Sequence, residues 1–223
     1  MAIILTLLDK LFYKVYNVFM ENLVAKYPKL KGLENKINLA LEIMRNAYKN
    51  GGKFLVIGNG GSSADCAHFT AELLNKFNAK RKIDGEFYNK LASISKSAEE
   101  TANVLQKGIP CIDLTALSST LTAISNDVGF EYSFSQLFYS LYREGDVLIA
   151  FTTSGKSINV IKALEVAKAL NAKTITFTGK NGLLNEDLAT VNLSVNEEET
   201  YAIQELHLPL YHYVCSELEK DLF

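Results

Sequence analysis

Short apolar runs alternate with helical patterns from residue 54 to the end of this 223-residue chain. Each run has four or five residues and is bounded by glycine or polar residues, which predicts a buried strand. The predicted strands are 54–58, 111–114, 147–151, 174–178 and 191–195. The predicted helices are 63–77, 121–126, one that ends at Arg143, 158–170, a short one at 181–188 and a last one at 202–221. This alternation predicts an α/β fold, a mostly parallel sheet with helices on both faces.

Two more helices are predicted ahead of the first strand. Apolar side chains recur with a helical period through residues 5–26, and Pro28 ends that helix. A second helix covers residues 31–50, where a glycine pair stops it. One small sheet does not need both helices for cover. We therefore divide the chain into an N-terminal packing or oligomerisation element, 1–50, and an α/β domain, 51–223, although a plain intramolecular layer fits the first two helices equally well.

The stretch from Asn78 to Gly108 is polar and interrupts the alternation. It is basic at its start, and residues 97–100 (Ser-Ala-Glu-Glu) have the spacing of a capping box. We predict a loop with one short helix here, most of it solvated.

Composition narrows the class of protein. The chain is 48% hydrophobic and 22% charged, which provides for a packed core and argues against disorder. Its net charge of −2 gives no electrostatic basis for a nucleic-acid partner. The first eight residues are apolar but lack the basic start of a signal peptide, and no stretch has the ~18 uncharged residues of a membrane span. Three cysteines without CxxC spacing argue against a disulfide framework, so the expected compartment is the cytoplasm.

The first strand leads into a glycine-rich turn, Gly58-Asn-Gly-Gly-Ser-Ser63. Its glycines leave backbone N–H groups accessible, and its serines can cap the helix that follows. Such a turn often binds phosphate, but it also occurs in α/β proteins that bind nothing there. It is neither a P-loop, which needs Gly-Lys-Ser/Thr, nor the dinucleotide fingerprint, because Ser63 replaces the third glycine. His68 and Glu72 follow on one helix face, one turn apart, a spacing that ordinary surface pairs also have.

A second polar turn, Thr152-Thr-Ser-Gly-Lys-Ser157, follows the strand 147–151. Hydroxyls and backbone N–H groups at a helix start suit a phosphate monoester, and Gly155 allows its close approach. Because ligands bind beyond the carboxyl ends of parallel strands, two such turns favour a phosphorylated ligand. The remaining histidines, His207 and His212, lie in the last helix. A histidine on an apolar helix is usually a core residue, which is our interpretation of His207.

Five motifs taken together resemble the phosphoheptose isomerases, a group of the sugar isomerase (SIS) domain family. They are Gly58-Asn-Gly-Gly-Ser62, His68-x-x-x-Glu72, Ser125-Asn-Asp127, Thr152-Thr-Ser-Gly-x-Ser157 and Ile203-Gln-Glu-x-His207-x-x-x-x-His212. The match covers nearly the whole chain in order. It implies a single SIS α/β domain, a flavodoxin-like three-layer sandwich, that assembles as a homotetramer. It also implies an aldose–ketose isomerase that converts sedoheptulose 7-phosphate to D-glycero-D-manno-heptose 7-phosphate, an early step toward bacterial surface heptose.

The resemblance also implies a role for each matched residue. The acid–base pair would be Glu72 and His212. Zinc would be held by His68, Glu72, Gln204 and His212. The phosphate would lie on Thr152, Thr153, Ser154 and Ser157. The sugar would lie near Asn59, Gly60, Gly61, Ser62, Asn126, Asp127 and Gln204.

The chain departs from the family's pattern at positions that leave the acid–base pair intact. The segment 78–108 is longer than usual, Ala202 replaces an arginine, and the run Glu197–Glu199 makes the approach to an anionic substrate acidic. Two alternatives therefore stay open. One is the same reaction on another ketose phosphate, and the other is a SIS-fold regulator that binds a sugar phosphate or a protein without turnover.

Gln204 and His212 are eight residues apart, which is about 12 Å of rise along a straight helix. Ligand atoms lie only ~2 Å from a zinc ion, so one uninterrupted helix cannot easily present both residues to it. Either the helix begins after Gln204, or Pro209 bends it, or the two residues come from different chains. We expect the last, an active site shared between subunits.

Overall fold

The computed structural model describes Met20 and residues 22–223. Residues 22–26 are helical, and Pro28–Leu30 form a 3₁₀ turn. The rest of the helix predicted at 5–26 lies outside the described residues. The second predicted helix is confirmed as α1 (Glu34–Lys49), and its buried side chains pack in the same core as the sheet.

One parallel sheet of five strands forms the centre of the fold, in the order β2-β1-β3-β4-β5. Its strands are β1 (Phe54–Gly58), β2 (Cys111–Asp113), β3 (Val147–Phe151), β4 (Lys173–Thr178) and β5 (Val191–Ser194). All neighbouring pairs are parallel. The five predicted strands are confirmed, each to within one residue at either end. The order is flavodoxin-like, in which the strand order reverses between β1 and β3.

Seven helices follow β1 in the described part of the chain. Every helix predicted after β1 is among them, with the exception of the short helix predicted at 181–188. They are α2 (Gly61–Leu74), α3 (Gly85–Ala92), α4 (Lys96–Val104), α5 (Ser118–Asp127), α6 (Ser133–Leu141), α7 (Ile158–Ala169) and α8 (Thr200–Leu222). None of the described helices combines the length and apolarity that crossing a membrane requires.

Alternate residues of the central strands face two separate apolar cores. Phe54 and Val56 of β1 pack in the core that includes side chains of α1, α2 and α8. Leu55 and Ile57 of the same strand pack in the core formed with α6 and α7. The sheet is therefore covered on both faces, which is why its strands are unbroken apolar runs.

The segment 78–108 contains two helices rather than the single short helix predicted. Asp84 caps α3 and Ser95 caps α4, each by accepting hydrogen bonds from backbone N–H groups of the first turn. The predicted capping box at 97–100 is therefore wrong by two residues. Ala102 is the only buried residue of the two helices. The two helices are stabilised by their caps rather than by a buried apolar face. A search of the sequence for an apolar helix face therefore missed α3.

The short helix predicted at 181–188 is also wrong. Only Glu186–Leu188 form a 3₁₀ turn. Gly182 has a φ of 66°, which interrupts a right-handed helix. The Glu186 carboxylate accepts a hydrogen bond of 2.7 Å from the backbone N–H of Leu183. These constraints fold the segment into a tight loop.

Gly155, in the turn after β3, packs directly against that loop. Its φ is +65°, and a Cβ at this position would collide with the carbonyl oxygen of Gly182. Its own carbonyl accepts a 3.1 Å hydrogen bond from the backbone N–H of Leu184. The turn 152–157 is thus held in a conformation that only glycine fits.

Gly155→Ala is expected to destabilise the fold by at least about 2 kcal/mol, because it combines a strained φ with a backbone collision. Gly85→Ala is the matched control, since nothing lies within 4 Å of its Cβ position at the start of α3. Alanine there should be neutral or stabilise the fold by up to ~1 kcal/mol. Urea unfolding of both variants measures the difference, and equal stabilities would contradict the rigid packing of this turn.

Candidate active site

The two polar turns predicted to bind phosphate lie side by side at the carboxyl edge of the sheet. β1 and β3 are neighbours, with Gly58 opposite Phe151 at their ends. Asn59, directly after β1, and Asn159, in the first turn of α7, exchange two side-chain hydrogen bonds of 2.9 Å. Asn159 is buried. The amide pair therefore fixes the turn after β1 to α7, the helix that follows the turn after β3. Sequence reasoning missed Asn159, whose only signal is its place just after the second turn.

The turn after β1 opens α2 without a side-chain cap. Gly60 is the N-cap residue, with φ 56° and ψ −121°, and α2 begins at Gly61. The predicted serine cap is therefore wrong, because both serines are already inside the helix. Ser62 is buried, and Ser63 Oγ donates a 2.6 Å hydrogen bond to the hydroxyl of Thr115. The backbone N–H groups of Ser62 and Ser63 donate instead to the carbonyls of Asn59 and Gly60, each at 3.0 Å.

The turn after β3 carries hydroxyl side chains immediately ahead of α7. Thr152 is only 3% exposed, and its hydroxyl has no hydrogen-bond partner among the described residues. Ser157 is the N-cap residue of α7 but makes no side-chain cap bond. Ser154 Oγ accepts a 3.2 Å hydrogen bond from the backbone N–H of Lys156. Unsatisfied hydroxyls beside a helix N-terminus suit an anionic ligand.

A cavity of about 140 Å³ opens beside this second turn, and two glutamates of the acidic run 197–199 line it. Both glutamates are paired. Lys29 binds Glu197, and Lys180 Nζ lies 2.9 Å from Glu198 Oε1. Two of the three glutamates in the acidic approach noted in the sequence are therefore neutralised by lysines.

His68 and Glu72 of α2 meet His212 of α8 in one cluster, and all three belong to the same chain. His68 Nε2 lies 3.1 Å from Glu72 Oε1 and 3.5 Å from His212 Nε2. The three ligand atoms all lie within 4.8 Å of one another. His68 is exposed and the other two side chains are half-buried, so the cluster is accessible from solvent.

The spacing of this cluster fits a tetrahedral metal ion. Ligand atoms at ~2.05 Å from zinc lie about 3.3 Å from one another in a tetrahedron. The two distances from His68 Nε2, 3.1 Å to Glu72 and 3.5 Å to His212, bracket that value. Two imidazoles and one carboxylate form a catalytic type of donor set, in which the fourth position takes water or substrate. The three residues can therefore hold a divalent ion.

Tyr211 and Asp65 form a second layer behind His68, which sequence reasoning missed. The Tyr211 hydroxyl lies 2.9 Å from His68 Nδ1, and the Asp65 carboxylate interacts with the same hydroxyl. Burial raises the pKa of Asp65 to about 6, although His68 and the hydrogen bond with Tyr211 oppose the rise. Burial and the Asp65 carboxylate raise the pKa of Tyr211, so its hydroxyl stays protonated. Burial and the neighbouring His68 lower the pKa of His212.

α8 runs parallel to α2 and contacts it at three levels. Gln204 lies against Gly61, where a Cβ would collide with the glutamine amide. His212 lies against His68, and Glu219 contacts the segment 77–81 that follows α2. Successive contacts are seven or eight residues apart along α8, which is about two helical turns and returns to the same face.

This arrangement separates Gln204 from the cluster within one chain. α8 begins at Thr200 and continues as a helix through Pro209. One of the three explanations for the gap between Gln204 and His212, a helix that begins after Gln204, is therefore wrong, while a bend at Pro209 is not tested by the continuity of the helix. The place of Gln204 among the metal ligands stays a prediction, and it would require a second chain. Glu72 and His212, in contrast, meet within a single chain.

A buried ion pair fixes the end of α2 to α8. Arg81 and Glu219 are 0% and 1% exposed, and Arg81 Nε donates a 2.7 Å bond to Glu219 Oε1. Arg81 also donates to the backbone carbonyls of Leu73 at 2.6 Å and Glu72 at 2.9 Å, which caps α2 beside the cluster. Sequence reasoning placed Arg81 in a solvated basic stretch, because only the fold shows that Arg81 is buried while Lys80 and Lys82 are exposed.

The Glu219 carboxylate also organises the turn after α2. It accepts hydrogen bonds of 2.7–2.9 Å from the backbone N–H groups of residues 77–79. Burial alone would raise the pKa of Glu219, but these donors and Arg81 lower it. The turn in this way places the ring of Phe77 against the imidazole of His212, with centroids 5.4 Å apart.

Asn126 and Asp127 lie at the exposed C-terminal end of α5. Asn126 Nδ2 donates a 2.8 Å hydrogen bond to Asp127 Oδ1. In the described part of the chain, no hydrogen bond links either residue to the cluster. The adjoining Val128 and Phe130 are 61% and 54% exposed. A role of Asn126 and Asp127 in sugar binding stays a prediction.

His207 is a core residue, as predicted. Its side chain is fully buried between Phe151 and Phe177, and Nε2 lies 3.3 Å from the carbonyl oxygen of Thr178. Burial lowers the pKa of His207 to about 4, so the imidazole is neutral at physiological pH.

Comparison with known proteins extends the likeness over nearly the whole chain. Two models of the SIS domain match it, one at residues 18–107 and one at residues 114–214. The phosphoheptose isomerase of Geotalea daltonii is 39% identical over 191 residues, which cover 86% of each chain. The solved phosphoheptose isomerase of Neisseria gonorrhoeae is 33% identical with a TM-score of 0.69, covering 94% of this chain and 99% of its own. That of Francisella tularensis is 29% identical with a TM-score of 0.72, covering 94% and 98%.

The Arg81–Glu219 pair predicts a specific acid sensitivity. Because the pKa of Glu219 is lower in the folded protein, its stabilising contribution is complete above the ordinary glutamate pKa of 4.5 and is lost as the pH falls below it. Glu219→Gln should cost about 3–5 kcal/mol at pH 7, since it leaves a buried, unpaired Arg81. Glu205→Gln on the exposed side of α8 is the control and should change stability by less than ~0.5 kcal/mol. Chemical unfolding from pH 3 to 8 measures both, and equal losses in the two variants would contradict this role.

Proposed function

The chain belongs to the phosphoheptose isomerases of the SIS domain family, and we propose on that basis that it converts sedoheptulose 7-phosphate to D-glycero-D-manno-heptose 7-phosphate. This would be an aldose–ketose isomerisation in the synthesis of heptose precursors. The observation that carries the proposal is the cluster of His68, Glu72 and His212 on two helices packed beside the glycine turn. A binding protein without turnover has no need of such a cluster.

The reaction requires two proton movements that the cluster can serve. A proton must leave C1 of the ketose and return to C2, through an enediol, while the hydroxyl on C1 loses its proton and the oxygen on C2 gains one. Glu72 is suited to transfer the proton between the two carbons, and His212 is suited to transfer protons to and from the two oxygens. Positioned acid and base groups each supply roughly 10²–10⁴-fold in rate. Both lie within one chain, so each chain supplies its own pair.

We infer that zinc is the ion at this cluster, held by His68, Glu72 and His212. The donor set and the distances near 3.3 Å support it. A divalent ion would supply charge stabilisation for the enediolate oxygens. Gln204 is kept as a further ligand or substrate contact, contributed from another chain if it reaches the same ion.

The phosphate is proposed to lie on Thr152, Thr153, Ser154 and Ser157. The buried, unpartnered hydroxyl of Thr152 and the uncapped start of α7 support this placement. The sugar chain would extend along the first turn, past Asn59, Gly60, Gly61 and Ser62, toward the cluster. Gly61 and His68 are seven residues apart on α2, about 10 Å along the helix, so a substrate held at both ends must be elongated. Asn126 and Asp127 complete the proposed sugar contacts.

The function is tested by isotope exchange at C1 and C2 in heavy water, followed by proton NMR. Sedoheptulose 7-phosphate should exchange, whereas the unphosphorylated heptulose and fructose 6-phosphate should exchange far more slowly. Glu72→Gln and His212→Gln should each lower the rate by roughly 10²–10⁴-fold while sugar-phosphate binding is retained, because both keep the side chain's size and remove proton transfer. Glu165→Gln, an exposed carboxylate on α7, is the control and should retain wild-type exchange.

The outcomes separate the alternatives. Faster exchange with another ketose phosphate would keep the reaction and replace the sugar. Tight binding of a sugar phosphate without any exchange would favour a regulator. Wild-type exchange in Glu72→Gln or His212→Gln would remove that residue from the chemistry.

We further propose a homotetramer in which sites are shared between chains, and a cytoplasmic location consistent with three buried, unpaired cysteines. Exposed apolar side chains that follow Asn126 and Asp127 in the chain support an interface at that end of α5: Val128, Phe130 and Tyr132.

Native mass spectrometry should give four chains. If Asp127 serves a neighbour's cluster, mixing inactive Glu72→Gln with inactive Asp127→Asn should restore roughly a quarter of the activity, since a quarter of random pairings are intact. Mixing Glu72→Gln with His212→Gln is the matched control and should restore none. A tetramer with no recovery in the first mixture would place Asp127 in its own chain's site.

A further inference from the structure

His68 is the central residue of the cluster, and its ring has a defined environment on both sides. Nε2 faces Glu72 and His212, while Nδ1 lies 2.9 Å from the hydroxyl of Tyr211. The ring of Tyr211 is 1% exposed and packs edge-on against His68 and Phe69, with centroids 5.6 and 6.0 Å apart. The packing of the ring therefore holds the hydroxyl beside His68 Nδ1, in addition to the hydrogen bond between them.

Asp65 lies one turn before His68 on α2, on the same side of the helix. Its carboxylate interacts with the Tyr211 hydroxyl, and its oxygen Oδ2 is buried without a hydrogen-bond partner among the described residues. A buried carboxylate oxygen without a hydrogen-bond donor is unusual and destabilises the fold, so we expect it to accept a hydrogen bond from a nearby group. The available neighbour here is the tyrosine hydroxyl.

The direction of the hydrogen bonds follows from the number of protons. A neutral imidazole has one N–H and one lone pair. If Nε2 is to offer its lone pair to a metal ion, Nδ1 must carry the proton and donate it to Tyr211 Oη. The tyrosine proton is then free to be donated to Asp65, which can only accept. In the opposite tautomer Tyr211 would donate to Nδ1, and the Asp65 carboxylate would have no donor.

We propose that Asp65 and Tyr211 are positioning residues that hold His68 in its Nδ1-protonated tautomer, so that Nε2 is the metal-ligating atom. The relay is a carboxylate–histidine pairing with a tyrosine inserted between the two. Partners of this kind orient the ring and raise the affinity for the metal, typically by 10–100-fold. The inference rests on the metal site of the proposed function, and it can be tested without turnover.

The first test is zinc affinity, measured by competition with a chromophoric chelator. Tyr211→Phe keeps the packed ring and removes only the hydroxyl, and it should weaken zinc binding by 10–100-fold. Asp65→Leu removes the acceptor, so the tyrosine must donate to Nδ1, and the loss should be at least as large. The double variant should bind no more weakly than Asp65→Leu alone, because the two residues act through one relay. Tyr213→Phe, a buried tyrosine two residues further along α8, is the matched control and should bind zinc like the wild type.

The second test reads the tautomer directly and needs no metal. The chain has only three histidines, so ¹⁵N-labelled imidazole signals can be assigned with a His68→Gln variant. The wild type should show His68 protonated at Nδ1, and Asp65→Leu should move the proton to Nε2. Thermal unfolding confirms that each variant is folded.

Wild-type zinc affinity in folded Tyr211→Phe, or His68 protonated at Nε2 in the wild-type protein, would overturn the proposal. A wild type that binds no zinc would overturn it as well, while isotope exchange by that protein would leave the isomerase function standing. Conversely, weakened zinc binding in both variants of a protein that exchanges no sugar phosphate would support the relay and reject the proposed function.

Discussion

The buried ion pair between Arg81 and Glu219 fixes the separation of α2 and α8, and the candidate active site depends on that separation. Neither charge reaches solvent, so each is tolerated only because its hydrogen bonds are satisfied. Glu219 accepts from Arg81 and from three backbone N–H groups, and Arg81 caps the last carbonyls of α2. The pair therefore acts at the end of α2 that carries Glu72, two turns along α8 from His212. An apolar contact would hold the helices together with less control of their register.

The sheet determines the other end of the site. Because β1 and β3 are neighbours at the point where the strand order reverses, the turns that follow them share one edge. The Asn59–Asn159 amide pair and the packing of Gly155 on Gly182 hold these turns in fixed conformations. A phosphate site built on backbone and short hydroxyl side chains needs such rigidity, since it has no long side chain that can adjust.

The errors of the sequence interpretation have a common physical origin. The helix α3 was missed because it is defined by the Asp84 cap and buries no residue, and the apolar period reports burial only. The serine cap expected for α2 was wrong because Gly60 takes that position with a positive φ, which a propensity for caps does not reveal. The helix expected at 181–188 failed because Gly182 is fixed by tertiary contacts. In each case the local signal that was used, an apolar period or a cap propensity, did not report the feature that sets the backbone conformation.

The sequence by itself determined the five strands, the α/β class and the motifs that carry the family, because buried strands and glycine turns depend on short-range patterns. His68 and Glu72 could be paired from their spacing alone. The fold shows three relations that the sequence did not reveal: His212 joins His68 and Glu72 within one chain, Gln204 lies two turns away at Gly61, and Asp65 and Tyr211 lie behind His68. These relations connect residues 140 or more positions apart. The register between two packed helices is set by side-chain contacts such as Arg81–Glu219, which no local period contains.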